Sequence, residues 1–288
     1  MQDVSESLAG RVGLAELDTF SSAEILRADP DVFDAASPSG LLRVLARGTF
    51  PELWEKPEMD ATEFYRAYVA TYLERDIRNL IRVGSLRDFE RFLRLLALRS
   101  GQLLNKSDLA RDVGVSLPTL GEWLSVLETS HQVTLLEPYY GNPGQRLIKT
   151  PKVYFHDTGL LCFLAGISPS TLLPGSPLIG PIWETFVFGQ ISRALSWRTT
   201  AAALFFWRDR YGNEVDFVIE TGGKLRPVEA KWSQLPSAAD LSRLVKLAGL
   251  IGKNTLSPWF ACPGADPRTS PERVRIINPA PPRAWDEI

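Results

Sequence analysis

The sequence predicts a mixed α+β chain in two parts: a helical part ending in two helices and a β-hairpin, then an αβββαβ part. Three observations carry this reading. Apolar residues recur at helical spacing between about residues 60 and 128. A Gly-Gly pair, Gly222-Gly223, sits between two strand-like runs, the chemistry of a tight hairpin. A Pro- and Gly-rich stretch over 172–181 separates the two regions. With 288 residues, 44% hydrophobic and 23% charged, the chain is long enough for two or three cores.

Residues 1–59 read as irregular, with short helices near 22–28 and 38–47, the second capped by Ser37 or Ser39. Asp60 followed by Glu63 resembles a capping box. After it Phe64, Tyr68 and Tyr72, flanked by Val69, Leu73, Ile77, Leu80 and Ile81, predict an amphipathic helix of about six turns. Ser85 opens another through Phe89, Phe92, Leu95, Leu96 and Leu98 to Gly101. Residues 106–113 form a short helix, Gly114-Val115 a turn, and 116–128 a second helix with Pro118 in its tolerated first-turn position. Strands follow at 133–139 and 153–156 around Gly141-Asn142-Pro143-Gly144. Two helices and then a hairpin is the order of a winged helix. After the linker come a helix at about 182–196, strands at 203–208, 214–221 and 224–231, a helix at 237–248, and strands near 257–262 and 272–277.

The acidic residues of the hairpin carry the chemistry. With Gly222-Gly223 as the loop, Asp216 falls opposite Glu229 and Glu214 opposite Lys231, and the side-chain period of two puts all four on one face. Opposed carboxylates repel. A divalent cation between them removes that cost, and hard oxygen ligands suit Mg²⁺ or Mn²⁺. A lysine two residues past the second carboxylate can touch a scissile phosphate or orient water, which outlines metal-assisted phosphodiester cleavage. Glu184, on the preceding helix, can lean toward the same edge. The competing reading is a set of surface charges on a half-exposed hairpin, with Glu184 a solvated carboxylate near a helix start.

Composition narrows the other classes. A net charge of -2 excludes bulk nucleic-acid binding, leaving only local patches. The second helix of the pair offers Ser116, Thr119, Glu122 and Ser125 and no cation, which argues against base readout and a DNA-binding regulator. Arg146, Lys149 and Lys152 make a modest basic edge able to touch phosphates. Arg75, Arg78, Arg82, Arg87, Arg91 and Arg94 alternate with Glu74, Asp76, Asp88 and Glu90, a paired, solvated face. Asp157 after His156 reads as a helix cap rather than an acid–base pair. Cys162 and Cys262, far apart in apolar settings, read as reduced thiols and fit a cytoplasmic protein. With two histidines the chain is poor in zinc ligands. The longest apolar run, near 160–167, is too short to span a bilayer, the N-terminus does not read as a signal peptide, and no membrane partner is expected.

Four further stretches carry a resemblance: Tyr72-Leu73-Glu74-Arg75-Asp76-Ile77, Gly101-Gln102-Leu103-Leu104-Asn105, Tyr154-Phe155-His156-Asp157-Thr158-Gly159-Leu160-Leu161, and Phe206-Trp207-Arg208-Asp209. Long and in order, they resemble a large prokaryotic family of AAA-type ATPases in which a P-loop domain precedes a domain of unknown function. The resemblance implies that 1–59 is an ATPase-core tail and linker, with Ser5-Glu6-Ser7-Leu8-Ala9-Gly10-Arg11 the end of that core and Arg11 a candidate trans-acting arginine. It implies a helical and winged-helix domain over 60–170 and a restriction-endonuclease-like, PD-(D/E)XK domain over 178–288. It further implies catalytic roles for Glu184, Asp216, Glu229 and Lys231, with metal at Asp216 and Glu229, and DNA or RNA as partner. No G-x-x-x-x-G-K-[ST] loop occurs in the sequence. ATP is therefore expected only where an upstream or partner P-loop ATPase domain supplies its site. The alternative is a module that has lost activity and binds nucleic acid or protein.

Overall fold

A computed structural model describes residues 17–32, 38–72, 86–141, 149–172, 174–198, 201–264, 267–280 and 285. Among them are ten helices and two sheets, a mixed α+β arrangement.

The first part is helical: α1 (Ser22–Ala28), α2 (Pro38–Arg47), α3 (Pro51–Glu55), α4 (Ala61–Tyr72) and α5 (Leu86–Ala97). Local chemistry sets the starts. Ser21 and Glu24 form a full capping box at α1, and Asp60 Oδ1 accepts from Glu63 N at 2.9 Å ahead of α4. Ser39 lies inside α2 rather than capping it. Ser37, Arg11, residues 73–81 of the expected long helix and Ser85, the expected start of the next, lie outside the described residues.

After the short β1 (Gln102–Leu103) come α6 (Lys106–Val113) and α7 (Leu117–Thr129), joined at Gly114, whose φ of 85° closes α6 in the left-handed region. Ser116 caps α7 and Pro118 occupies its first turn. Strands β2 (Val133–Leu136) and β3 (Lys152–Phe155) complete a three-stranded antiparallel sheet in the order β1-β3-β2. β1 is an unpredicted third strand, and it puts β3 at the centre. Asp157 then caps α8 (Thr158–Leu164) through Leu160 N at 2.6 Å.

The second part opens with α9 (Ile179–Ser196), which starts earlier than expected. Pro181 stands in its first turn, where its missing N–H has no partner to lose. Then follow β4 (Ala202–Arg208), β5 (Glu214–Thr221), β6 (Lys224–Ala230), α10 (Ala238–Ile251), β7 (Trp259–Ala261), β8 (Arg268–Thr269) and β9 (Arg275–Ile277). The six-stranded sheet runs β4-β5-β6-β7-β9-β8, with β6, β7 and β9 parallel and the other pairs antiparallel.

Both faces of this sheet are covered. Val215, Leu225, Phe260 and Ile276 pack with Leu241, Leu244 and Leu247 of α10. On the other side Phe217, Val228 and Trp259 join α9 and a large buried cluster that runs back through α8, α5 and α2. The two parts thus share one continuous core across the Pro-rich linker. Both cysteines are free and buried. Among the described residues no helix is long and apolar enough to cross a membrane.

Candidate functional site

The hairpin takes the expected register: Phe217↔Val228 through Thr221↔Lys224, closing on Gly222 and Gly223 at φ 57° and 73°. Regularity ends at Asp216. Along β4 and β5, Phe205 pairs with Val218 but Trp207 pairs with Val215, so two steps on β4 match three on β5. β5 therefore carries one extra residue at Asp216-Phe217, a β-bulge, the device that re-aims side chains beside functional sites. Val215 and Val218 in consequence pack into the same cluster under α10, while Phe217 packs on the α9 side.

This corrects the expectation of four groups on one face of a regular hairpin. Glu214 and Asp216 turn to a lysine of the first part, Lys152. Lys231 turns to α10, its ammonium bound by Asp240 Oδ1 at 2.7 Å, while Glu229, with Oε1 3.4 Å from Arg243, still acts on Asp216 through its charge. Lys231 is committed to the first turn of α10 rather than to Asp216.

Glu184, one and a half turns into α9, does join the acids. Its Oε1 accepts from Lys152 Nζ at 2.9 Å and from the Tyr154 hydroxyl at 2.5 Å. Gly101, at φ +77°, lies against its carboxyl, where an added Cβ would stand 3.5 Å away. Glu214 bridges Lys152 Nζ and Arg208 Nη1, each at 2.5 Å. Asp209 accepts from Tyr211 N, Asn213 N and Asn213 Nδ2, which shapes the turn leading into β5. Three of the stretches that carried the resemblance, those of Gly101, Tyr154 and Arg208, thus converge on the acids.

Lys152 reverses its expected role. Its side chain is 2% exposed, so it is no part of a basic surface edge. Lys149 is exposed, and Arg146 lies outside the described residues. Lys152 was legible as a cation but not as a core residue, because nothing in β3 alone says that acids from another region will surround it.

The charges are unevenly compensated. Burial alone would lower the Lys152 pKa, but Tyr154, Glu184, Asp216 and Glu214 together raise it well above the usual lysine value. Against the cost of burial, Lys152 and Arg208 hold Glu214 below the ordinary glutamate value. Asp216 goes the other way: burial, then Glu229 and Glu184, push it well up, although Lys152 and the Ala230 N–H at 2.8 Å oppose this. Glu229 is raised to about 7 by burial, with Glu184 and Glu214 adding to it and Arg243 opposing. Asp216 and Glu229 are therefore the carboxylates short of positive charge.

All donors here are hard oxygens, the kind Mg²⁺ or Mn²⁺ takes. Glu229 Oε2 is buried without a hydrogen-bond partner. In donor chemistry the residues fit a divalent cation. In arrangement, among the described residues no three His, Cys, Asp or Glu side chains form a ready cage.

Asp157 is the helix cap the sequence predicts, and neither it nor His156 faces the acids. Asp157 accepts from Leu160 N, Tyr65 Oη, Thr49 N and Thr49 Oγ1, and His156 Nε2 shares a 2.7 Å hydrogen bond with Thr134 Oγ1. Both tie elements together.

Two family models match this chain: one described as domain of unknown function DUF8612 over residues 39–171, and one as domain of unknown function DUF4143 over 179–278. The chain is 32% identical over 234 residues to an uncharacterized protein of Mycobacterium tuberculosis, Rv2008c, and equally to an uncharacterized protein of Mycobacterium bovis, Mb2031c. Each match covers 81% of this chain and 50% of the relative, so the chain spans about half the length of the curated relatives it matches. No solved structure matches it significantly.

Proposed function

We propose that the second part is a metal-dependent phosphodiesterase of the PD-(D/E)XK, restriction-endonuclease-like class acting on DNA or RNA. In this reading the first part is a winged-helix unit, and the whole belongs to a cytoplasmic protein of the AAA-type ATPase family. The observation that supports it most is the pair Asp216 and Glu229 beside a β-bulge, both raised in pKa by burial in company with further carboxylates. Groups in that state gain from a cation. Asp216, Glu229 and Glu184 are the residues that would hold Mg²⁺ or Mn²⁺. When bound, such an ion supplies Lewis-acid polarisation of a phosphoryl oxygen and a more acidic water. The α9 helix positions Glu184, the bulge aims Asp216, and the Ala230 N–H fixes one Asp216 oxygen. Lys231, held by Asp240, takes a catalytic position only by leaving that partner. ATP binding belongs to a P-loop domain elsewhere in the protein or on a partner.

A second reading, an inactive module that binds nucleic acid or protein, is favoured by the engagement of Lys231 with Asp240 and by an ammonium among the acids. One experiment separates the two. Mg²⁺ and Mn²⁺ binding is followed by calorimetry for wild type and Asp216→Ala, with plasmid and single-strand cleavage run on the same samples. Metal-dependent cleavage that disappears in Asp216→Ala supports the nuclease. Neither binding nor cleavage by wild type leaves the inactive module.

A further inference from the structure

We propose that the Lys152 ammonium is a built-in counter-cation that competes with a divalent metal for the acids at the β5 bulge, so that metal binds only by displacing it. This rests on the reading that those acids take a divalent cation, and it names what controls their occupancy.

Three observations carry it. The first is position: Lys152 Nζ lies 2.9 Å from Glu184 Oε1, 2.5 Å from Glu214 Oε1 and 3.8 Å from Asp216 Oδ1. One point thus gathers carboxylates from α9 and β5. The second is burial. At 2% exposure the ammonium has no bulk water to fall back on, and a lysine is buried only when paired. The acids are its solvation, just as the ammonium is their compensation.

The third is attachment. Lys152 opens β3, the central strand of the small sheet, hydrogen-bonded to β1 and β2 on its two sides. The backbone is fixed while the four-carbon stem can turn. In its present position Nζ also lies 5.7 Å from the centre of the Phe206 ring, one more contact that is given up on displacement. A divalent ion brings twice the charge to the same oxygens and so can displace the lysine, but it must first overcome the contacts the lysine already makes.

The counter-cation also comes from a different region than the acids. Lys152 falls within the 39–171 match, whereas Glu184, Glu214, Asp216 and Glu229 fall within the 179–278 match. The first part thereby sets the metal affinity of the second.

The test is Mn²⁺ calorimetry at neutral pH on the whole chain: wild type, Lys152→Met, and the double variant Lys152→Met/Glu214→Gln. The double variant removes one charge of each sign and retains Glu184, Asp216 and Glu229, so it serves if Lys152→Met alone fails to fold by circular dichroism. The folded variants are expected to bind Mn²⁺ at least tenfold more tightly than wild type. Equal or weaker binding by the folded variants overturns the counter-cation while leaving the metal reading in place. Binding by none of the three proteins overturns the metal reading itself and the inference with it.

Discussion

Asp157 shows how one residue holds several elements. Its two oxygens accept from Leu160 N, Tyr65 Oη, Thr49 N and Thr49 Oγ1, joining α8, α4 and the end of α2. Asp157→Ala leaves the buried Leu160 and Thr49 N–H groups without their partner, while Tyr65 Oη and Thr49 Oγ1 keep Arg47 O and Thr19 Oγ1, so a loss of about 3 kcal/mol is expected in urea unfolding, with Asp157→Asn recovering part of it. Its neighbour His156 gives the pH dependence. Burial lowers its pKa from 6.5 to about 4, against the pull of Asp18 and with help from Arg193 and His131. Between those two values the unfolded chain binds a proton that the folded chain refuses. Stability therefore falls as pH drops from 6.5 toward 4, by about 3 kcal/mol in all. Chemical unfolding of wild type against His156→Gln across that window measures it, and the variant is expected to show the shallower fall. At this scale the sequence singled out Asp216, Glu229 and Glu184 through residue type and spacing, and the structure brings Glu184 and Asp216 to one ammonium. It missed the partner of Lys231, because Asp240 nine residues later reaches it only once α10 folds back. It misdirected Lys152, because a lysine in a strand reads as surface until its partners are known.

At the scale of elements, the β5–β6 hairpin was legible down to its register, since Gly-Gly allows the positive φ that a tight two-residue turn demands. A Cβ added at Gly222 or Gly223 meets no atom within 4 Å. Substitution therefore costs conformational energy alone, and Gly222→Ala and Gly223→Ala are each expected to lose about 1 kcal/mol with the denaturant dependence unchanged. A slope that moves with the midpoint would mean the hairpin itself is lost. The bulge was not legible: a period-two reading assumes that no residue is inserted, and the mismatch shows only against β4. β1 was equally hidden, since two residues carry no period and its place depends on β3.

Across the whole molecule, the order of elements was written in the sequence but the sharing of their core was not. Pro and Gly at 172–181 read as a separator, yet α9 buries Ile182, Phe186, Phe188 and Ile191 in the same cluster as the helices of the first part. Tyr154 stacks on Phe188 at 4.6 Å between centroids. Scanning calorimetry of the full chain is expected to give one cooperative transition. A fragment of residues 174–288 lacks this covering and is expected to bind a hydrophobic dye and melt broadly. Two separate transitions in the full chain would contradict the shared core.

The placement of Lys152 has a consequence for descent. Its acids sit in a stretch of chain with its own family match, and domains with separate histories can be exchanged between genes. This pair is expected not to exchange freely. A first half without a cation at 152 would meet a second half with surplus negative charge, and a second half without Glu184 and Glu214 would strand a buried ammonium. Recombinants between diverged relatives are expected to fold only where the charges on the two sides of the junction still cancel, so 152, 184 and 214 are expected to change together.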